Sequence, residues 1–349
     1  MKKKGLVSAG MLLAMTLAAG CGSKAAPAGN PVEANKLFSM QLPKETAGTY
    51  KAETTDNSIS IYDKEASEAG FGGFAFSVQA CSSPSEYAGG MSKKVGELTA
   101  KDGTLYDIVA EYPSDVQYDY TKNTEGMPAS YAALYNGADA IIQTIQGVDG
   151  TFVYGAGTKG EELYPDVLAK HVQAINEGWD AERLESENMS SMYYAMSMSD
   201  EGSVLDRAGY AYYDVNQDGI DELLIGEIGE DEWKGTIYDV YTMVNREPAH
   251  VVSGWDRSRY FALDTGMLVN EYSGGAMESG WDTYDIEPNT TNLMPQLMLK
   301  YDGYEDEENP WFVSYDNGET WEGVTEEEFE ARKPVNYVRF DFTPLSSVK

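Results

Sequence analysis

Residues 210–228 read Y-A-Y-Y-D-V-N-Q-D-G-I-D-E-L-L-I-G-E-I, and they constrain the fold more than any other stretch of the chain. Oxygen-bearing side chains fall at Asp214, Asn216, Asp218 and Glu222 around a glycine at position 219, with apolar runs on both sides. Alternate residues of a tight loop can converge their oxygens only if the backbone turns sharply, and Gly219 permits that turn. Such convergence is what a hard cation requires. The spacing predicts calcium held by the side chains of Asp214, Asn216, Asp218 and Glu222, with the Ile220 carbonyl as a further donor. An acidic glycine turn without metal is the alternative.

The flanks decide what the loop connects. An EF-hand carries a bidentate Glu at loop position twelve on an exiting helix. Counted from Asp214, that position is Ile225, and the residues on both sides are β-formers. The loop therefore resembles the strand–loop–strand variety, D-x-[DN]-x-D-G-x-x-[DE], of extracytoplasmic repeat and adhesion proteins. Asp221 alternates to the opposite side of the exiting strand from Glu222, so its removal is expected to be silent.

Charge narrows the partners. The chain has 25 basic and 58 acidic residues, a formal net charge of −33, which repels phosphate backbones and argues against nucleic acid. With two histidines and two cysteines, zinc and histidine chemistry have little to draw on. Lys2–Lys4 precede an apolar run at 6–19 that is short for a membrane span, followed by L-A-A-G-C ending at Cys21. This resembles the bacterial lipobox, with Ala18 where Leu is commoner. The resemblance implies cleavage after Gly20, a diacylglycerol on Cys21, and display at the bacterial cell surface, anchored to the outer face of the plasma membrane. Cys81 would then have no disulfide partner and serve as a small apolar side chain.

The pattern beyond Cys21 predicts an α+β chain of two domains, each a mainly antiparallel sheet with covering helices. Residues 1–20 are the signal peptide and 21–35 a flexible tether. A first domain covers 36–147, with period-two strands, a hairpin turn of type I′ at Asp102-Gly103, and a helical stripe at 131–145. Four glycines at 148–160 suggest the boundary. A second domain, 158–346, begins with helices and continues through the acidic loop into a β-meander whose last expected strand is 337–342.

The order helices, acidic loop, meander, together with W-D-R-S-R-Y at 255–260 and S-G-G-A at 273–276, resembles a group of uncharacterised bacterial surface lipoproteins. That likeness implies calcium binding and surface location but brings no activity. Trp255, Arg257, Arg259 and Tyr260 form a weaker candidate ligand site, since paired guanidinium groups fit a carboxylate or phosphate and aromatics stack on a ligand. Residues 314–321, S-Y-D-N-G-E-T-W, match the Asp-box of sialidases, a turn remote from their chemistry. His171 lies on an apolar helix face and reads as a core residue. A Ser-His-Asp hydrolase would need His171 or His250 and lacks a nucleophile elbow. The expected function is a non-catalytic binding or envelope-associated module for an extracellular glycan, peptide or protein, with a surface hydrolase of glycans or peptidoglycan as the alternative.

Overall fold

The computed structural model describes residues 30–87, 91–199, 202–230 and 234–349. The signal peptide and Cys21 lie outside the described residues. In chain order the strands begin with β1 (Val32–Ala34), β2 (Phe38–Gln41), β3 (Tyr50–Thr54) and β4 (Ser58–Asp63). Helix α1 (Lys64–Glu68) leads to β5 (Phe74–Cys81), β6 (Ser92–Ala100) and β7 (Leu105–Glu111). Helices α2 (Ala129–Tyr135) and α3 (Ala138–Ile142) then precede β8 (Gln146–Gly147) and β9 (Gly150–Tyr154). Strands β3-β4-β5-β7-β6-β9 form one antiparallel sheet, and β1-β2-β8 a smaller one. Phe38 and Met40 of the small sheet, Phe76 and Val78 of the large one, and Tyr131, Leu134, Ile141 and Ile142 of the two helices share one core.

The later half starts with α4 (Gly160–Leu163), α5 (Pro165–Glu177), α6 (Ala181–Ser186), α7 (Met192–Ser197) and α8 (Val204–Arg207). Pro165 occupies the first turn of α5, and Gly178 ends it with φ of 62°. An antiparallel sheet of eleven strands follows: β10 (Ala208–Tyr213), β11 (Glu222–Glu227), β12 (Ile237–Val244), β13 (Glu247–Ser253), β14 (Ser258–Ala262) and β15 (Leu268–Gly275). Its remaining members are β16 (Glu278–Ile286), β17 (Leu293–Asp302), β18 (Trp311–Ser314), β19 (Glu322–Gly323) and, after α9 (Glu326–Glu330), β20 (Thr343–Pro344). The helices α5–α8 cover Leu223, Ile225 and Tyr241 on one face. Leu224, Val240, Ala262 and Leu268 build a second core on the other. The chain is α+β.

Four expectations need correction. Residues 150–154, expected in a glycine-rich boundary, add an edge strand to the first sheet, so that sheet runs to Tyr154. Part of the expected tether is structured: Val32–Ala34 pairs with β2, and the Asn35 side chain accepts the Leu37 and Phe38 N–H groups to close the turn. The hairpin between β6 and β7 has a three-residue loop, closed by Ala100 N–H to Thr104 O at 2.8 Å. Only Gly103 has positive φ there, 88°, whereas a type I′ turn needs two such residues. Residues 337–342, expected as a strand, contribute a single bridge between Leu263 and Tyr337.

His171 is the satisfied core residue its stripe implied. It is fully buried, with Nδ1 2.7 Å from the Tyr193 hydroxyl and Nε2 2.9 Å from that of Tyr241. Burial lowers its pKa to about 4, so the imidazole is neutral and clamps α5 to α7 and β12.

Candidate metal centre and the interface beside it

Strand β10 delivers Asp214 and β11 begins at Glu222, so the acidic loop is the turn of a strand–loop–strand unit in register from Ala208↔Glu227 to Tyr213↔Glu222. Gln217 (φ 61°) and Gly219 (φ 92°) make the reversal. The loop is held by its own side-chain oxygens. Asp214 Oδ2 accepts the Gly219 N–H (3.1 Å), Asn216 Oδ1 that of Asp218 (3.1 Å), and Asp218 Oδ1 that of Ile220 (2.9 Å). Glu222, fully buried, accepts the Val215 N–H at 2.7 Å and the Thr242 hydroxyl at 2.9 Å.

The electrostatics are unbalanced. Burial, reinforced by the mutual proximity of the acids, pushes Asp218 up to about 6 and Glu222 well above the carboxylate range. Burial also raises Asp214, although the ammonium of Lys93, 3.9 Å away, draws it partly back. Asp214 Oδ1 is buried without any hydrogen-bond donor. Three desolvated carboxylates with an orphaned oxygen form an environment that a hard cation would relieve.

The donor set fits calcium in part. Asp214, Asn216 and Asp218 offer side-chain oxygens on one short loop. Glu222 has both oxygens committed to the loop and to β12, each with a lone pair to spare. Ile220 turns its N–H to Asp218, and its side chain packs at the edge of the core under the helices. Among the described residues no three His, Cys, Asp or Glu side chains already converge on one metal position.

Asp221 departs from its expected silence. Its N–H donates to Thr158 O (2.9 Å), its carbonyl accepts the Tyr164 hydroxyl (2.9 Å), and its carboxylate accepts the Gly160 N–H (3.2 Å) with Lys159 3.6 Å away. It staples the segment leaving β9 to the loop.

The loop also forms part of the contact between the two sheets. Lys94 N–H in β6 donates to Asp218 O at 2.7 Å. Beside it, the Lys94 ammonium, 3 % exposed, lies 2.9 Å from both Glu97 and the wholly buried Asp107. Arg246, in the β12–β13 turn, reaches Asp107 at 3.0 Å, and the Tyr87 hydroxyl donates to it at 3.2 Å. A cleft of about 120 Å³ opens here, lined by Tyr87, Lys94, Glu97, Asp218, Ile220 and Arg246. Sequence reading missed this network, because its members are scattered over more than a hundred residues and each is an ordinary surface type.

The weaker candidate divides between two faces. Trp255 and Arg257 are exposed in a turn, Arg259 reaches Asp256 at 3.3 Å, and strand alternation places Tyr260 on the opposite face from Arg259. The S-G-G-A segment forms an irregularity between β15 and β16 at Ser273/Gly275. In the Asp-box turn, Asp316 accepts the Thr320 N–H and hydroxyl while Ser314 Oγ accepts the Gly318 N–H, a structural turn as its sequence implied.

Ser253, His250 and Asp239 do meet, but not as a relay. His250 Nε2 faces both Ser253 Oγ (3.0 Å) and Asp239 Oδ1 (3.4 Å), and the Ser253 hydroxyl donates to Asp239 at 2.6 Å. A general base must take the serine proton on one nitrogen while the acid holds the other. As arranged, the trio clamps β13 to β12 together with the Ser190 N–H, which also donates to Asp239. Cys81 is buried and its thiol is pushed up to about 12 by burial, which excludes a reactive thiolate. Among the described residues no helix is long and apolar enough to cross a membrane. Comparison with protein-family models, curated proteins and solved structures finds no match to this chain.

Proposed function

We propose that the chain is a bacterial surface lipoprotein, anchored through a diacylglycerol on Cys21 to the outer face of the plasma membrane, whose loop at 214–222 takes up calcium. Asp214, Asn216 and Asp218 would hold the ion with the Ile220 carbonyl and Glu222. The ion would supply charge compensation and a fixed loop conformation, not chemistry. The carrying observation is the donorless, buried Asp214 Oδ1 beside two acids raised by burial. The loop abuts β6, so calcium would stiffen the contact between the sheets and hold the surface as a non-catalytic binding or envelope-associated module. The bifurcated Ser253–His250 contact gives the surface-hydrolase alternative no support.

Calcium tests the first part. Extracellular sites of this class bind at around 10⁻⁴ M, so ~10⁻³ M calcium stabilises the fold by roughly 1.4 kcal/mol. The expected result is a melting midpoint a few degrees higher with calcium than with EDTA. Asp214→Ala and Asp218→Ala should abolish the difference. Asp221→Ala should lower the midpoint equally in both conditions, because its bonds go to the protein. An unchanged wild-type midpoint, or a calcium response surviving in Asp214→Ala, would sink the metal assignment.

The anchor has its own test. Cys21→Ala is expected to move the protein from the membrane fraction to the soluble fraction. Partitioning that still depends on detergent in this variant would refute lipidation at Cys21.

A further inference from the structure

Alternation along β14–β17 puts Tyr260, Asn270, Tyr272, Asp282 and Tyr284 on one face of the large sheet, with Tyr260 opposite Asn270 and Asn270 opposite Asp282. The β12–β13 turn bonds back to the β16–β17 turn, Asn245 N–H to Asn289 Oδ1 at 2.6 Å, so the sheet curls toward this face. One end of the curl is filled by apolar side chains, among them Ile237, Ala262, Leu268 and Ile286. Beyond them the three tyrosines are half-buried, and Gly280 leaves room for the Tyr272 ring to lie across β16.

Asp282 sits at the centre of this patch, 7 % exposed. Its Oδ1 has no donor, and its Oδ2 accepts the Tyr284 hydroxyl at a long 3.3 Å. Two other buried carboxylates are well served, Asp107 by Lys94, Arg246 and Tyr87 and Asp239 by Ser190, Ser253 and His250, whereas Asp63 Oδ2 and Asp214 Oδ1 share the lack of a donor. Lys300, opposite Gly280 on the same face, is committed to Asp302 and Glu305 and lies over the rings of Phe312 and Trp321. Burial accordingly raises Asp282 to about 7.

We propose that this face binds an organic ammonium group, with the Asp282 carboxylate as counter-charge and the rings of Tyr260, Tyr272 and Tyr284 as walls. The missing partner of a desolvated carboxylate is positive, and tyrosine ring faces attract alkylated cations through their quadrupole. A neutral sugar would satisfy the hydrogen bonds but leave the buried charge uncompensated. The net charge of −33 raises the local concentration of cations further. The site is independent of the acidic loop.

The test is calorimetric titration of the full chain in mild detergent. Choline is compared with its neutral isostere 3,3-dimethylbutan-1-ol, and Nα-acetyl-lysine amide with Nα-acetyl-norleucine amide. The first pair reports a quaternary headgroup and the second a lysine side chain. At least one cation is expected to bind about tenfold or more tightly than its isostere. Asp282→Asn should erase that preference while melting no lower than wild type, since the lost charge has no partner. Tyr272→Phe should retain binding and Tyr272→Ala lose most of it, a contrast that holds even if the Asp282 variant folds poorly. Equal affinity for cation and isostere, no binding of either cation, or an undiminished preference in Asp282→Asn would each overturn the proposal.

Discussion

Asp107→Ala is expected to destabilise the folded chain by about 3–5 kcal/mol, the range found when one partner of a buried ion pair is removed. Asp107 is wholly buried and receives Lys94, Arg246 and Tyr87. Its loss leaves the Lys94 ammonium, itself 3 % exposed, with Glu97 alone. Arg246 is one-third exposed and can turn to water, so Arg246→Ala should cost much less. Urea unfolding of both variants checks the order, and a loss below about 1 kcal/mol for Asp107→Ala would mean that water reaches the pair. The same measurement bears on how the two halves unfold. Arg246 belongs to the large sheet and Asp107 to the six-stranded one, so the pair couples them.

That coupling was the part of the molecule least legible in the sequence. Strands announce themselves by alternation, and most of those expected are present, including β5, in which Phe76, Val78 and Ala80 share the buried face. The stripe from Tyr131 to Ile145 also holds, although the helix breaks at Asn136-Gly137 into two short pieces facing the same core. Glycine misled the reading at 148–160. Four glycines suggest a linker, yet Gly150 is there because β9 presses against β6, where a Cβ would fall 2.5 Å from Thr99 O. Composition does not distinguish a glycine used for flexibility from one used for close approach. The Asp282 patch was hidden for a different reason: its tyrosines come from three strands, and only register brings them together. The acidic loop was legible because its turn and its oxygens are local. Its neighbour across the interface was not.

Gly219→Ala tests both roles of that loop in one substitution. Gly219 has φ of 92°, where an L side chain is strained. A Cβ there would also press on the Lys94 carbonyl oxygen well inside van der Waals contact, and would stand 2.7 Å from Lys93 Cγ and 2.9 Å from Lys94 N. Lys94 N–H is the group that bonds Asp218 O, so the loop and β6 must separate. Strain of about 1–3 kcal/mol and a lost hydrogen bond of about 1 kcal/mol give an expected destabilisation of roughly 2–4 kcal/mol. Gly103→Ala is the matched control. Its φ is 88°, but no atom lies within 4 Å of the added Cβ, so it should show only the conformational part, about 1 kcal/mol. Hydrogen exchange at the Lys94 amide should accelerate in Gly219→Ala and stay slow in Gly103→Ala. Equal stability losses in the two variants, with Lys94 still protected in both, would show that the loop does not bear on β6.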